Sequence, residues 1–157
     1  MKSENTIVDF ENSLGPWLGK TIKIVDYHLQ ETLSQNGIDL SKEQMIILKK
    51  LHDQDGLHQN DLAFLTLRDK SSLTRLLVKM EKKKYIFRKQ CKEDKRANNV
   101  YLTNLGKEIF IKTKPVIRQI LDTMQQNISK KEKIQMIETL KKIQFNFNSK
   151  VESIELI

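Results

Sequence analysis

Apolar residues recur at three-and-four spacing along most of this chain, the period of an amphipathic helix. After a weak pattern at Ile7, Val8 and Phe10, a longer stripe runs through Trp17, Leu18, Ile22, Val25, Leu29 and Leu33. Pro16 suits its first turn, because proline lacks an N–H that would be orphaned there. Asn36 and Gly37 mark its end. Ser41 and Gln44 form a capping box ahead of Met45, Ile47, Leu48 and Leu51, and Asp55 and Gly56 close that helix. A short helix over Gln59 to Leu65 follows, with Thr66, Leu67 and Arg68 as a tight connection. Leu62, Ala63 and Leu67 are expected on its apolar side. From Lys70 to Lys84 the stripe is Leu73, Leu76, Leu77 and Met80, with Asp69 placed as the N-cap.

The helical period then lapses. Tyr85 to Lys89 and Asn99 to Leu102 are short β-prone runs on either side of a charged loop. It resumes after Thr103, a candidate cap, through Leu105, Ile109, Val116, Ile120, Leu121 and Met124, with Pro115 expected to bend or break the ladder locally. Ser129 and Glu132 form a second capping box before Ile134, Ile137, Leu140, Ile143 and Phe147. The elements predict a mainly α protein with a small β-wing: a winged helix-turn-helix over 37–103, flanked by helices over 1–36 and 104–157. Two helices joined by a tight turn let the first brace the second in a DNA groove. A wing adds a second contact surface.

Charge sharpens this picture. Of the 28 Lys and Arg, 12 fall between Arg68 and Arg96 against 4 Asp and Glu, so this segment carries the entire net charge of +8. A cationic field this concentrated is what a polyanion-binding surface needs, since each neutralised phosphate releases condensed counterions. On the helix that begins at Lys70, the face opposite the apolar stripe carries Ser71, Ser72, Thr74, Arg75 and Lys79. Hydroxyls and Arg can bond base edges in a major groove, and Lys can reach phosphate. Ser71, Ser72, Thr74 and Arg75 are therefore the candidates for base contacts, and Lys70 and Lys79 for phosphate. Taken by itself such a face also reads as the solvated side of a core helix. The flanking short helix and wing favour the DNA reading.

The tip and second strand of the wing read DKRANNVYLTNLG, with Asp94, Lys95, Arg96, Leu102, Thr103 and Gly106 in order. This resembles the wing signature of the MarR family of winged-helix regulators, D-x-R followed at fixed distance by L-T-x-x-G. The resemblance extends over roughly residues 10–145, through LGPWL at 14–18, GIDLSKEQMIIL at 37–48 and DKSSLTRLL at 69–77. It implies that Arg96 enters the minor groove, where a narrow A·T tract concentrates negative potential, with Asp94 orienting it and Lys95 beside it. Residues two apart in extended chain project to one side, so Asp94 is expected to pair with the Arg96 guanidinium.

Both terminal segments carry apolar stripes that a lone domain would expose, so we expect them to be dimerisation helices of a two-fold homodimer. The resemblance implies the same assembly. Such a dimer reads double-stranded DNA at pseudo-palindromic half-sites about 10 bp apart. The resemblance further implies repression of transcription and release by a small aromatic or phenolic effector, bound between the dimerisation helices and the winged domain. Trp17, Tyr27, His28 and Met45 sit on the helices that would border that crevice.

Other chemistries find little support. There is no Gly-rich phosphate loop, H-E-x-x-H or nucleophile elbow, and the three histidines have no evident nucleophile partner, so an enzyme is not expected. His28, His52 and His58 lack paired metal-ligand spacing, and neither metal nor cofactor is expected. The single cysteine excludes an internal disulfide framework and agrees with a reducing compartment. Cys91 lies between Lys89 and Lys92, which favour a thiolate, but it reads as a bystander on a solvated hairpin. No apolar run reaches membrane-spanning length and no signal pattern opens the chain, so a cytoplasmic protein is expected, with no membrane partner. A wing used only for protein interaction would need no Asp-anchored Arg, and this separates the rival reading as an interaction module.

Overall fold

The computed structural model describes residues 8–94, 96 and 98–147. Its elements are α1 (Leu14–Gln35), α2 (Lys42–Asp53), β1 (Leu57–His58), α3 (Gln59–Leu65), α4 (Lys70–Lys82), β2 (Ile86–Gln90), β3 (Asn98–Leu102), α5 (Asn104–Met124) and α6 (Lys130–Phe147). The architecture is a winged helix-turn-helix with long helices before and after it. The weak pattern at the start of the chain lies partly outside the described residues, Ile7 among them, and Val8 and Phe10 precede α1 in exposed positions.

Local signals fix most boundaries. Ser41 and Gln44 form the reciprocal capping box of α2, and Ser129 and Glu132 bond each other's backbone N–H groups before α6. The Asp69 carboxylate accepts from the Ser72 N–H at 2.8 Å, capping α4. At the end of α1, Gly37 adopts φ +67°, so that Ile38 N–H reaches Leu33 C=O at 2.9 Å and Gly37 N–H reaches Ser34 C=O at 3.0 Å. This left-handed turn satisfies the last carbonyls, and buried Leu33 and Ile38 make the apolar contact that accompanies it. Pro115 lies inside α5, which continues as helix through it.

The same turn recurs after α3, and it corrects one expectation. Leu67 has φ +53°, and Arg68 N–H bonds Ala63 C=O at 2.9 Å. At this position the side chain leaves the helix-turn-helix core, and Leu67 is 67% exposed instead of lying beside Leu62 and Ala63. Leu76 also differs: it is half-buried against the core, whereas Leu73, Leu77 and Met80 are fully enclosed.

The wing is a three-stranded antiparallel sheet in the order β1-β3-β2. Ile86 pairs with Leu102 and Arg88 with Val100, while Leu57 meets Val100 from the other side. Ile86, Val100 and Leu102 point into the core with Leu57. β1 is too short to leave a period in the sequence. The junction of wing and α5 explains the L-T-x-x-G run physically. The Thr103 hydroxyl donates to Lys84 C=O at 2.6 Å and accepts from Gly106 N–H at 2.9 Å, so one side chain ties the turn ahead of β2 to the start of α5. Gly106 is required because a Cβ there would stand 2.1 Å from Tyr85 C=O.

Candidate nucleic-acid interface

The helix-turn-helix sets α3 against α4 through Leu62, Ala63, Leu73 and Leu77. That packing turns the polar side of α4 outward, with Lys70, Ser71, Arg75 and Lys79 exposed and Ser72 and Thr74 half-exposed. None of the ion pairs among the described residues involves Lys70, Arg75, Lys79 or Arg96. By contrast Lys42, Lys49, Lys83 and Arg88 are paired with carboxylates elsewhere. The cations of the outward helix face and the wing tip are thus held in no ion pair among the described residues and remain available to an incoming polyanion.

The wing tip folds back toward α4. A groove of about 340 Å³ lies between them, lined by Gln59, Asn60, Lys70, Thr74, Arg96 and Asn98 together with Asp94. The structure therefore gathers Lys70, Thr74, Asp94 and Arg96 in one place, with Ser71 and Arg75 on the adjoining surface. Lys95 lies outside the described residues.

Asp94 acts differently from the expected guanidinium pairing. Its Oδ1 accepts from the Arg96 backbone N–H at 2.9 Å. The tip is a turn and not extended chain, so the carboxylate closes an Asx-type turn. It fixes the backbone that carries Arg96 and leaves the guanidinium uncommitted. The hydroxyls also differ from one another. The Ser71 hydroxyl has no partner among the described residues. Ser72 Oγ accepts from Arg68 Nη1 at 2.8 Å and keeps its own proton to donate. Thr74 Oγ1 donates to Lys70 C=O at 2.8 Å and accepts from Gln59 Nε2 at 2.9 Å. Arg68 and Gln59 are thus parts of the surface that the sequence did not single out. Only their place across the turn from α4 reveals them, although the position of Gln59 at the start of the short helix was a usable signal.

The four effector candidates do not converge. Met45 lines a crevice of about 460 Å³ between α2 and α5, with Phe110, Ile117 and Leu121 as apolar wall and Lys49, Lys114 and Arg118 as cations. Tyr27 and His28 stack edge to face at 5.5 Å. They border a separate depression along α1 with Lys20, Lys23 and Ile24. Trp17 is 59% exposed, and its indole N–H donates to Glu11 C=O at 2.7 Å. Cys91 is half-buried at the end of β2. Among the described residues, no helix is long and apolar enough to cross a membrane.

Residues 40–97, spanning α2 to the wing, match the family model of the MarR family. The HTH-type transcriptional regulator SarZ of Staphylococcus haemolyticus is 29% identical over 126 residues, 79% of each chain. An HTH-type transcriptional regulator of Bacillus subtilis, YdgJ, is 28% identical over 110 residues, 70% of this chain and 67% of its own. Among solved structures, MepR of S. aureus in complex with DNA superposes with a TM-score of 0.77 at 28% identity, covering 84% of this chain and 97% of that one. BpsR of Bordetella bronchiseptica, whose DNA binding is regulated by 6-hydroxynicotinic acid, shares the fold with a TM-score of 0.80 at 20% identity, covering 88% and 97%.

Proposed function

The chain belongs to the MarR family, and from that premise we propose that it is a DNA-binding transcriptional regulator, a repressor that binds a pseudo-palindromic operator as a homodimer and is released by a small-molecule effector. The observation that carries this reading is the groove between α4 and the wing, where the uncommitted cations Lys70 and Arg96 meet beside exposed Arg75 and Lys79. In it, α4 enters the major groove: Ser71, Ser72 and Arg75 face base edges, and Lys70 and Lys79 face phosphates. Arg96 reaches the adjoining minor groove from a turn that Asp94 holds closed. The relatives named as transcriptional regulators and the DNA complex of MepR support the assignment. The fold and family are those of regulators and not of enzymes.

Dimerisation is supported by the terminal helices. α6 buries none of its residues, and Ile134, Met136, Ile137 and Phe145 are all exposed. Ile22 and Ile24 of α1 and Leu121 and Met124 of α5 are exposed as well. A second copy covering these faces removes apolar surface from water and sets two reading heads a fixed distance apart. The effector site best supported is the α2–α5 crevice, where an apolar wall and the Lys114 and Arg118 cations, against one carboxylate in Asp122, suit an aromatic anion. Of the four candidates from the sequence it retains Met45 alone. Release requires that the effector bind the DNA-incompetent spacing better than the competent one, since equal binding shifts nothing.

The test is binding to DNA from upstream of the protein's own gene and to shuffled DNA of equal length, titrated across salt. The expected result is selective binding that weakens steeply with salt. In Arg96→Ala the fold is kept, affinity falls, and the salt slope drops by about 1 because one cation is lost. Wild-type affinity in that variant would refute the wing assignment. If no palindromic duplex is enriched from genomic DNA, the regulator reading gives way to a protein-interaction module.

A further inference from the structure

Thr74 stands on the DNA-facing side of α4, yet its hydroxyl is fully used inside the protein. The single hydroxyl proton goes to Lys70 C=O at 2.8 Å, and the oxygen accepts from Gln59 Nε2 at 2.9 Å. Gln59 cannot readily turn its amide away. Its Oε1 faces Arg88 Nη1 at 3.5 Å, and Arg88 Nε is paired with Glu81. The guanidinium can only donate, so it selects the amide orientation that presents NH2 to Thr74. A chain of polar contacts thus runs from Glu81 through Arg88 and Gln59 to Thr74, linking β2, α3 and α4.

This arrangement leaves Thr74 with no proton to offer the N7, O6 or O4 acceptors of a base edge. Its one uncommitted heavy atom is the γ-methyl, in a residue that lines the groove between α4 and the wing. We propose that Thr74 specifies a thymine in each half-site through contact of this γ-methyl with the thymine C5-methyl, and that Gln59 and Arg88 are positioning residues for it. The inference rests on the DNA-reading function above and adds the base feature read. In the major groove the C5-methyl is what marks thymine as an apolar contact, and a threonine methyl is a suitable partner. Ser71, with an uncommitted hydroxyl, reads hydrogen-bonding groups instead.

The probe is a duplex enriched from a random-sequence pool by the wild-type protein, then remade with deoxyuridine in place of each thymidine in turn. Deoxyuridine removes only the methyl. The wild type loses about fourfold in affinity at one thymine per half-site, the value of one buried methyl group. Thr74→Val loses the hydroxyl but retains that discrimination, because valine has one strongly preferred χ1 in a helix and holds its methyl without the Gln59 bond, whereas threonine divides between two rotamers and needs it. Thr74→Ser, which keeps the hydroxyl and loses the methyl, no longer distinguishes the two duplexes. Arg88→Met weakens discrimination at the same position but leaves the salt slope unchanged, because it removes no phosphate contact. The proposal is overturned if Thr74→Ser still discriminates, if Thr74→Val does not, or if no deoxyuridine position costs the wild type affinity. If the wild type enriches no duplex at all, the DNA-reading function falls with it; if it enriches one and only the uridine pattern fails, this inference alone falls.

Discussion

The winged core and the last helix are built from similar amphipathic sequence and end in opposite states. In α4, Leu73, Leu77 and Met80 are all fully enclosed, because α2, α3 and the sheet close over one stripe. In α6, Ile134, Ile137, Leu140 and Ile143 recur every three residues along one stripe, and none of the helix's residues is buried. Periodicity therefore states which face of a helix wants cover, but not whether the same chain supplies it. The core is complete within one copy, whereas α6 leaves its apolar stripe uncovered there.

The sharpest test of the core side is Leu77→Ala. Removing a fully enclosed leucine leaves a cavity, at a cost of about 2 to 5 kcal/mol, read as a lowered denaturation midpoint. Leu76→Ala, at the margin of the same stripe, costs less because solvent already reaches the side chain. Equal losses in the two variants would break the distinction between enclosed and marginal positions. Gly106→Ala is expected next, at about 1 to 3 kcal/mol of overpacking. The neighbour that must give way is the Tyr85 backbone and not a flexible side chain. A melting temperature unchanged in this variant would show that α5 can lift away from β2 at little cost.

Much of this was legible in the sequence. Ser41 with Gln44, Asp69, Thr103, and Ser129 with Glu132 each cap the helix that their spacing predicts, because capping is a contact between residues two or three apart. The two longer strands were found within a residue of their ends. What escaped depends on contacts across the fold. β1 has two residues and exists only through its pairing with β3. The exposure of Leu67 follows from a left-handed turn that no glycine announces. At the candidate interface, residue types were readable but their commitments were not. Nothing in the sequence says that Gln59 occupies the Thr74 hydroxyl, that Arg68 holds Ser72, or that Asp94 grips a backbone N–H instead of a guanidinium. The separation of Trp17, Tyr27 and His28 from Met45 likewise follows from how α1 is rotated against α2.

A smaller effect on the core comes from Tyr85. Burial, and secondarily the Asp39 carboxylate, raise its hydroxyl above the ordinary 10.0. The neutral phenol donates to Asp39 C=O at 3.1 Å, with the Lys83 ammonium bonded to the Asp39 carboxylate and to Gln44 beside it. Because the folded value is the higher one, the stabilisation is fully present below pH 10 and is lost as pH rises through the folded value. Tyr85→Phe should be less stable near neutrality by about 1 kcal/mol, the net worth of one hydrogen bond, and should lose less stability in alkali than the wild type. The two proteins differ only in this hydroxyl, so the difference between their pH profiles isolates Tyr85. Parallel profiles would refute the assignment.

The smallest effect on the folded core, and the one that bears most directly on the contrast with α6, is expected from Ile137→Asp. Ile137 is 43% exposed in the single copy, so within one chain a carboxylate there meets water and changes stability by no more than about 0.5 kcal/mol. In a dimer that buries this face, the same carboxylate is desolvated without a partner and opposes association. The two situations separate by concentration. Mass action makes the melting temperature of a dimer rise with protein concentration. The wild type should show that rise, and Ile137→Asp should melt at one temperature throughout, equal to the dilute limit of the wild type. Sedimentation should find the variant monomeric over the same range. A variant that still sediments as a dimer and still melts at a concentration-dependent temperature would mean that α6 is not the covering face. The exposed residues of α1 and α5 would then have to supply the interface without it.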